Sequence, residues 1–202
     1  MTKLPALQDL DAFHRHLDLM LQVNLLTMQL HGGKDYLKNK SMKLRIGSGI
    51  DFHQLVEGRD LWIGGILIPH TKGALGHSDA DVLLHAICDA LLGALSLGDI
   101  GTHFPDTDQA YKNIDSKILL ARTYDLITEQ GYQIVNIDAT LCLEAPKIKP
   151  YVLAMQSCIA EILKIGEKDI SIKATTTETM GFTGREEGLV AMATCLLSSI
   201  NS

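Results

Sequence analysis

Asp51 and His53 stand two residues apart, and at strand spacing such side chains project to the same face. His85 lies further on, inside a strongly apolar stretch. Two imidazoles and one carboxylate make three nitrogen and oxygen ligands for Zn²⁺. They leave the fourth tetrahedral position open, as in a catalytic rather than a structural site. The plainer alternative is a solvated turn pair at Asp51 and His53, with His85 a satisfied, partly buried histidine. Against it, His85 and Asp89 interrupt Val82, Leu83, Leu84, Ile87, Leu91 and Leu92, and desolvating ionisable groups there is costly unless they are paired. Asp81 and Asp89 sit at i−4 and i+4 from His85, where either is expected to accept the other imidazole N–H and fix its tautomer.

Four further segments carry groups suited to a phosphorylated small molecule. Residues 73–81 (GALGHSDAD) run into the start of the His85 helix, where free backbone N–H groups attract anions and His77 and Ser78 add side-chain donors. Residues 173–188 (KATTTETMGFTGREEG) place threonine hydroxyls, Glu178, Phe182 and Arg185 between a strand and a helix. Hydroxyls and amides there can cradle phosphate oxygens while Glu178 holds Mg²⁺ against them. Residues 99–108 (DIGTHFPDTD) form a loop dense in short carboxylates, and residues 143–149 (LEAPKIK) set two lysines beside a proline-fixed backbone. Each has a bland reading as a helix cap or a polar loop.

These side chains need a scaffold. The chain has 202 residues, 46% hydrophobic and 21% charged, which suits one domain with a substantial core. A net charge of −6 argues against a nucleic-acid polymer or an anionic membrane as partner. Cys88, Cys142, Cys158 and Cys195 are scattered, with no C-x-x-C pair, and are expected to pack as small hydrophobes in a reducing, cytoplasmic compartment. Residues 82–98, the most apolar stretch, are interrupted by His85 and Asp89 and are short for a bilayer span. The N-terminus, with Asp9, Asp11 and Asp18, is unlike a signal peptide.

Residues 1–41 differ from the rest and are expected to form an extension outside the core fold, with residues 42–202 as the functional domain. Strands are expected at 44–53 and 61–69, a helix at 78–97 opened by a capping box of Ser78 and Asp81, and a helix at 115–130 closed by Gly131. Residues 133–144 alternate as a strand, with Val135, Ile137, Ala139, Leu141 and Leu143 on one side. A helix over 151–165, a strand over 169–175 and a last helix over 187–200 complete the order β-β-α-α-β-α-β-α. The fold class is α+β: a mixed β-sheet with helices packed on one face.

Five separated motifs in this order (RIGSGIDFH, GHSDADVLLHAICDALLGAL, LGDIGTHFPDTD, EAPKIKP and KATTTETMGFTGREEG) resemble the 2-C-methyl-D-erythritol 2,4-cyclodiphosphate synthase family over residues 43–200. Ser48 stands where some members carry histidine, outside the ligand set. The resemblance implies conversion of 4-diphosphocytidyl-2-C-methyl-D-erythritol 2-phosphate to the cyclic diphosphate with release of CMP, in the non-mevalonate isoprenoid-precursor pathway. Asp51, His53 and His85 match the zinc ligands, one Zn²⁺ per subunit, and Glu178 the ligand of a second cation, Mg²⁺ or Mn²⁺, at the diphosphate. His77 and Thr176 match residues that stabilise the transition state. Asp51, Phe52, His53, His77 and Ser78 match substrate-binding positions. So do Asp99, Ile100, Gly101, Phe104, Pro105, Asp106, Thr107 and Asp108 on the methylerythritol side. On the cytidine and phosphate side the matches are Leu143, Glu144, Ala145, Pro146, Lys147, Ile148, Lys149, Thr175, Thr176, Thr177, Glu178, Phe182 and Arg185. Family members are homotrimers with sites between subunits. Two rival readings are a zinc phosphohydrolase, with Asp79 or Asp106 orienting water, and an oligomeric ligand-binding protein with a structural zinc.

Overall fold

Alternating side chains build the sheet. In β1 (Leu44–Glu57), Leu44, Ile46, Ser48, Ile50 and Phe52 point to an exposed face, while Gly47, Gly49, Asp51, His53 and Leu55 point the other way. The structure, a computed structural model, describes residues 42–105, 107, 108, 111 and 113–200; the proposed extension 1–41 and Asp106 lie outside them. Five strands run in the order β4-β1-β7-β5-β6, where β4 is Lys72–Leu75, β5 Tyr132–Cys142, β6 Ile170–Thr175 and β7 Gly188–Ser199. Only the β5–β6 pair is parallel, so the sheet is mixed. Helices α1 (Val82–Ala94), α3 (Ser116–Glu129) and α4 (Val152–Leu163) cover one face, as the α+β reading expected.

The apolar run at 82–94 is helical because its opening is capped and all of it but Asp89 and Gly93 is buried. Asp81 is the N-cap, accepting from the backbone of Leu83 and Leu84. Its two oxygens also accept from Gly64 N at 2.9 Å and Gly65 N at 2.7 Å. The capping box of Ser78 and Asp81 therefore does not form, and the helix starts at Val82 rather than at 78. Residues 61–69 are a hairpin rather than one strand: β2 (Leu61–Ile63) and β3 (Ile66–Ile68) meet at Gly64 and Gly65, both at positive φ, a backbone that suits glycine. Asp81 pins that turn to the start of α1.

The largest departure from the sequence reading is at the C-terminus. Residues 188–199 form the strand β7, paired antiparallel with β1 on one side and β5 on the other. Alanine, methionine and leucine favour helix, which is why propensity misleads here. The alternation was present but muted: Leu189, Ala191, Ala193, Cys195 and Leu197 face the core, and Met192 and Thr194 face out. The inward residues are small because α1 lies directly on this strand; the Cys195 thiol donates to Ala90 O at 3.2 Å. In β5 a bulge at Ile134/Asn136 shifts the alternation by one, so Ile134 is buried and Val135, expected inside, is 39% exposed. α2 (Ile100–His103) and α5 (Gly181–Gly184) are single turns, and α3 begins and ends as expected, with Asp115 as N-cap and Gly131 at positive φ beyond its end.

The fit of α1 on β1 depends on two glycines. A Cβ on Gly47 would lie 2.0 Å from Ala90 O, and one on Gly49 would lie 2.2 Å from Ala86 O. Both are backbone atoms of the helix, so only displacement of α1 relieves the clash. Gly49→Ala is expected to destabilise the fold by about 1–3 kcal/mol, as overpacking does. Urea unfolding checks this; an unchanged midpoint would contradict this account of the packing.

Candidate metal centre and active site

β1 sends Asp51 and His53 to the helix-covered face, and the first turn of α1 brings His85 to meet them. Asp51 Oδ2 lies 3.0 Å from His53 Nε2 and 3.0 Å from His85 Nδ1, and the two ring nitrogens are 3.2 Å apart. Among the described residues these three form the group able to share a metal ion. Metal–ligand bonds of about 2.0–2.1 Å place tetrahedral zinc ligands about 3.3 Å apart, so the triangle has the right size. Ring orientation agrees. His53 Nδ1 donates to Leu75 O at 2.9 Å; a carbonyl only accepts, so Nε2 presents its lone pair inward. Asp51 Oδ1 is occupied by Phe52 N at 2.9 Å, which leaves Oδ2 for the shared point.

The electrostatics show how strongly this point calls for positive charge. Burial pushes the Asp51 carboxyl upward, but the His53 and His85 rings beside it outweigh that and hold it well below the usual carboxylate range. Burial disfavours a proton on His53, yet Asp51 and the Leu75 carbonyl raise its pKa above the ordinary value. The cysteines offer no competing ligand set. Burial pushes the Cys88 thiol up to about 12 and the Cys195 thiol up to about 11, so both stay protonated. Cys142 and Cys158 are half-buried, and all four are free.

The partners of His85 differ from the sequence reading. Its outer nitrogen, Nε2, meets Ser116 Oγ at 2.9 Å and Ser78 Oγ at 3.3 Å. Asp81 is committed to the helix cap. Asp89 accepts from Ile100 N at 2.8 Å, tying the start of α2 to α1. Ser116 comes from the start of a helix 31 residues away, and no local spacing pointed to it.

The metal triangle lies in the wall of a cavity of about 850 Å³. Leu75, Gly76, His77 and Ser78 line one side, and Ile100, Gly101, Phe104, Pro105, Thr107, Tyr111 and Ile114 the other. Most of the expected methylerythritol-side residues are thus gathered here, with Tyr111, Ile114 and Leu119 added. Asp99 instead caps α2, its Oδ1 accepting from Thr102 N and Thr102 Oγ1 at 2.8 Å each. Asp108 lies in the turn after Pro105, its backbone N–H donating to Pro105 O. Phe52 faces the opposite side of the sheet, its ring 6.2 Å from that of Phe182.

Part of the set expected around cytidine lines a separate cavity of about 180 Å³: Leu143, Glu144, Pro146, Lys147, Ile148, Lys149, Thr175 and Thr176, joined by Ala174, while Ala145, Thr177, Glu178, Phe182 and Arg185 do not line it. The Ala145–Pro146 peptide at its rim is cis. Glu144 Oε1 accepts from Thr177 N at 2.8 Å, Thr177 Oγ1 at 3.1 Å and Thr179 N at 3.2 Å, which holds its carboxyl below the usual range. Thr176 Oγ1 donates to the exposed Glu178 at 3.0 Å, and Arg185 pairs with Glu187. The two cavities lie at the same level of the sheet, since Asp51 pairs with Ala191, Ala191 with Leu141 and Leu141 with Ala174. At that level β1, which β4 pairs only from Gln54 onward, and β6 are the outer strands, three inter-strand steps or roughly 14 Å apart.

Comparison with known proteins agrees with this geometry. A family model described as the YgbB family matches residues 44–198. The 2-C-methyl-D-erythritol 2,4-cyclodiphosphate synthase of Bacteroides fragilis is 64% identical over 159 residues, covering 79% of this chain and 100% of that protein. That of Bacteroides thetaiotaomicron is 63% identical over 156 residues, 77% of this chain and 98% of that one. Among solved structures, the bifunctional IspDF of Campylobacter jejuni matches with a TM-score of 0.76 at 44% identity, over 79% of this chain and 43% of that chain. IspF of Plasmodium falciparum in a CDP complex matches at 0.69 and 35% identity, over 78% of this chain and 97% of that one. The fold, the order of the motifs and the relatives agree: this chain belongs to the YgbB family, the 2-C-methyl-D-erythritol 2,4-cyclodiphosphate synthases.

Proposed function

We propose that this protein is a zinc-dependent, CMP-releasing cyclase, a phosphorus–oxygen lyase that converts 4-diphosphocytidyl-2-C-methyl-D-erythritol 2-phosphate to 2-C-methyl-D-erythritol 2,4-cyclodiphosphate. The observation that carries the reading is the inward-facing triangle of Asp51 Oδ2, His53 Nε2 and His85 Nδ1 in the wall of a cavity large enough for a small sugar phosphate. Relatives named for this reaction over their whole length support it. The phosphohydrolase alternative finds no support among the named relatives, and of its two water-orienting candidates Asp79 is bonded to Ser116 while Asp106 lies outside the described residues.

The nucleophile is the substrate's own 2-phosphate. With a second pKa of roughly 6 it is largely dianionic at neutral pH, so no general base is required. An oxygen of that phosphate attacks the β-phosphorus, the bond from the β-phosphorus to the CMP oxygen breaks, and CMP leaves with the electron pair. The obstacle is charge, an anion approaching an already anionic diphosphate. Zn²⁺ at the triangle and Mg²⁺ or Mn²⁺ at Glu178 would supply the charge screening and polarisation. The chain's own part is to fold the substrate. His77 and Ser78 flank the triangle, the Ile100–Thr107 wall confines the methylerythritol, and the Thr176 hydroxyl waits at the other cavity. Pro146 and its neighbours would read cytosine by backbone groups, with Lys147 and Lys149 beside the phosphates. Well-oriented intramolecular attack is equivalent to about 10⁵ M or more of effective concentration.

Two half-sites on opposite sheet edges suit a cyclic homotrimer in which the metal edge of one subunit meets the cytidine edge of the next, a heterologous contact that closes on itself. The exposed apolar face of β1 and β7, with Ile46, Ile50, Phe52 and Met192, supports burial against other copies. We assign the activity to residues 42–202, leave residues 1–41 outside it, and place the protein in the cytoplasm, as its free cysteines suggest. No helix among the described residues is long and apolar enough to cross a membrane.

Purified protein given the cytidine diphosphate substrate, Zn²⁺ and Mg²⁺ should release CMP and a cyclic diphosphate; a linear diphosphate or inorganic phosphate would overturn the reaction. His85→Ala should lose most bound zinc and nearly all turnover with the fold intact, read by metal analysis and circular dichroism. Glu178→Gln should raise the Mg²⁺ concentration needed for half-maximal rate, and an unshifted titration would remove its role. Thr176→Ala and His85→Ala proteins, each inactive alone, should regain about a quarter of the sites when dissociated and reassembled in equal amounts, as expected for a site shared by two subunits. No recovery would place both half-sites' chemistry within one chain.

A further inference from the structure

The outer nitrogen of His85 ends in a chain of hydrogen bonds whose direction can be worked out. Ser116 is fully buried, and its Oγ donates to Asp79 Oδ1 in a short bond, while its backbone N–H donates to Asp79 Oδ2 at 3.1 Å. An ionised carboxylate only accepts, so the single hydroxyl proton of Ser116 points to Asp79. That leaves only lone pairs on Ser116 Oγ facing His85 Nε2 at 2.9 Å, and the imidazole must therefore donate there. Its remaining nitrogen, Nδ1, then carries the lone pair toward Asp51 and His53. Ser78 Oγ, farther off at 3.3 Å, already accepts from Ala80 N; turning its proton onto Nε2 would set two acceptors against each other at the Ser116 contact.

The same carboxylate joins two walls of the cavity. Asn113 N donates to His77 O at 2.7 Å and Asp79 N donates to Ile114 O at 3.2 Å, so residues 77–79 and 113–116 are laced together by backbone and side chain. We infer that Asp79 is a positioning residue: acting through Ser116, it sets the His85 tautomer that can capture a metal and locks that choice to the wall carrying Ile114. The inference rests on the zinc reading above.

The chemistry makes an unusual demand on variants. In Asp79→Asn the amide nitrogen can replace the acceptor and turn the Ser116 hydroxyl proton onto His85 Nε2, which drives the ring proton to Nδ1, where the metal belongs. Ser116→Ala only removes the orienting acceptor. Zinc affinity, measured by competition with a chromophoric chelator, should fall about 10-fold in Ser116→Ala and about 100-fold in Asp79→Asn, the span typical of groups that orient metal ligands. The double variant should recover to the Ser116→Ala level, since the misdirecting hydroxyl is gone. The visible spectrum of Co²⁺-loaded protein should be perturbed in the same order. A wild-type affinity in Asp79→Asn, or losses that multiply in the double variant as independent structural damage would, overturns the inference. Imidazole ¹⁵N shifts of the metal-free wild type give a test that needs no variant: a protonated Nε2 and bare Nδ1 on His85 are expected, and the opposite tautomer refutes it. Wild-type protein that binds no zinc would sink the metal reading itself, whereas zinc-binding wild type with an unaffected Asp79→Asn sinks the positioning role alone.

Discussion

Three atoms able to ligate a metal, turned toward one point with none more than 3.2 Å from the next, are the constraint around which the rest of the structure is arranged. With their lone pairs all facing inward they would repel, and each is partly withdrawn from the water that would otherwise solvate it. A protein keeps such a cluster only if the surrounding structure over-determines it and a cation relieves it. The lowered carboxyl of Asp51 and the raised pKa of His53 are the signature of that demand: without a metal, a proton on His53 is the nearest substitute. Acid should therefore compete with metal here, since protonating His53 occupies the lone pair a metal requires.

Over-determination comes from three directions. Gly47 and Gly49 let α1 approach β1 so closely that a helix residue can share an ion with two strand residues. The four N–H groups gathered by Asp81 fix where α1 begins, and so where its first turn places His85. The carbonyl of Leu75 and the hydroxyl of Ser116 then set the two rings. Each of these groups comes from a different part of the chain, and none touches the metal point itself.

That distribution explains what was legible in the sequence. Asp51 and His53 could be read because β1 alternates cleanly, and His85 because an ionisable residue in an apolar helix demands a reason. The mixed sheet with helices on one face could be read from element order, although the last element was taken for a helix. There the close seating of α1 demands Ala191, Ala193 and Cys195, and small helix-prone residues in a central strand conceal its period of two. The bulge at Ile134/Asn136 concealed itself in the same way, by shifting the buried set one residue along. Ser116 could not be found, because a serine at the start of a helix is ordinarily its own helix's business. Spacing offered Asp81 or Asp89 to His85; both are engaged by backbone amides instead, Asp81 by Gly64, Gly65, Leu83 and Leu84 and Asp89 by Ile100.

The separation of the two cavities is the observation that the proposed trimer would answer. Ring closure asks that the 2-phosphate and the β-phosphorus be brought together while the cytidine is held elsewhere, so both ends of one flexible molecule must be gripped. A single sheet offers gripping loops at its strand ends, but at the level of Asp51 its edges are three strands apart, too far for one small substrate to bend between them with its reacting groups in contact. In the proposed trimer, setting the edge of β1 in one copy against the edge of β6 in another would bring the metal wall and the threonine loop face to face without lengthening either. Ile46, Ile50 and Phe52, exposed on the open face of β1, would be covered in that assembly by the faces of the other copies rather than by the edge contact. In such a trimer site completion and burial of the sheet would be one event, so a change that loosens the contact between copies should lower activity before it unfolds the chain.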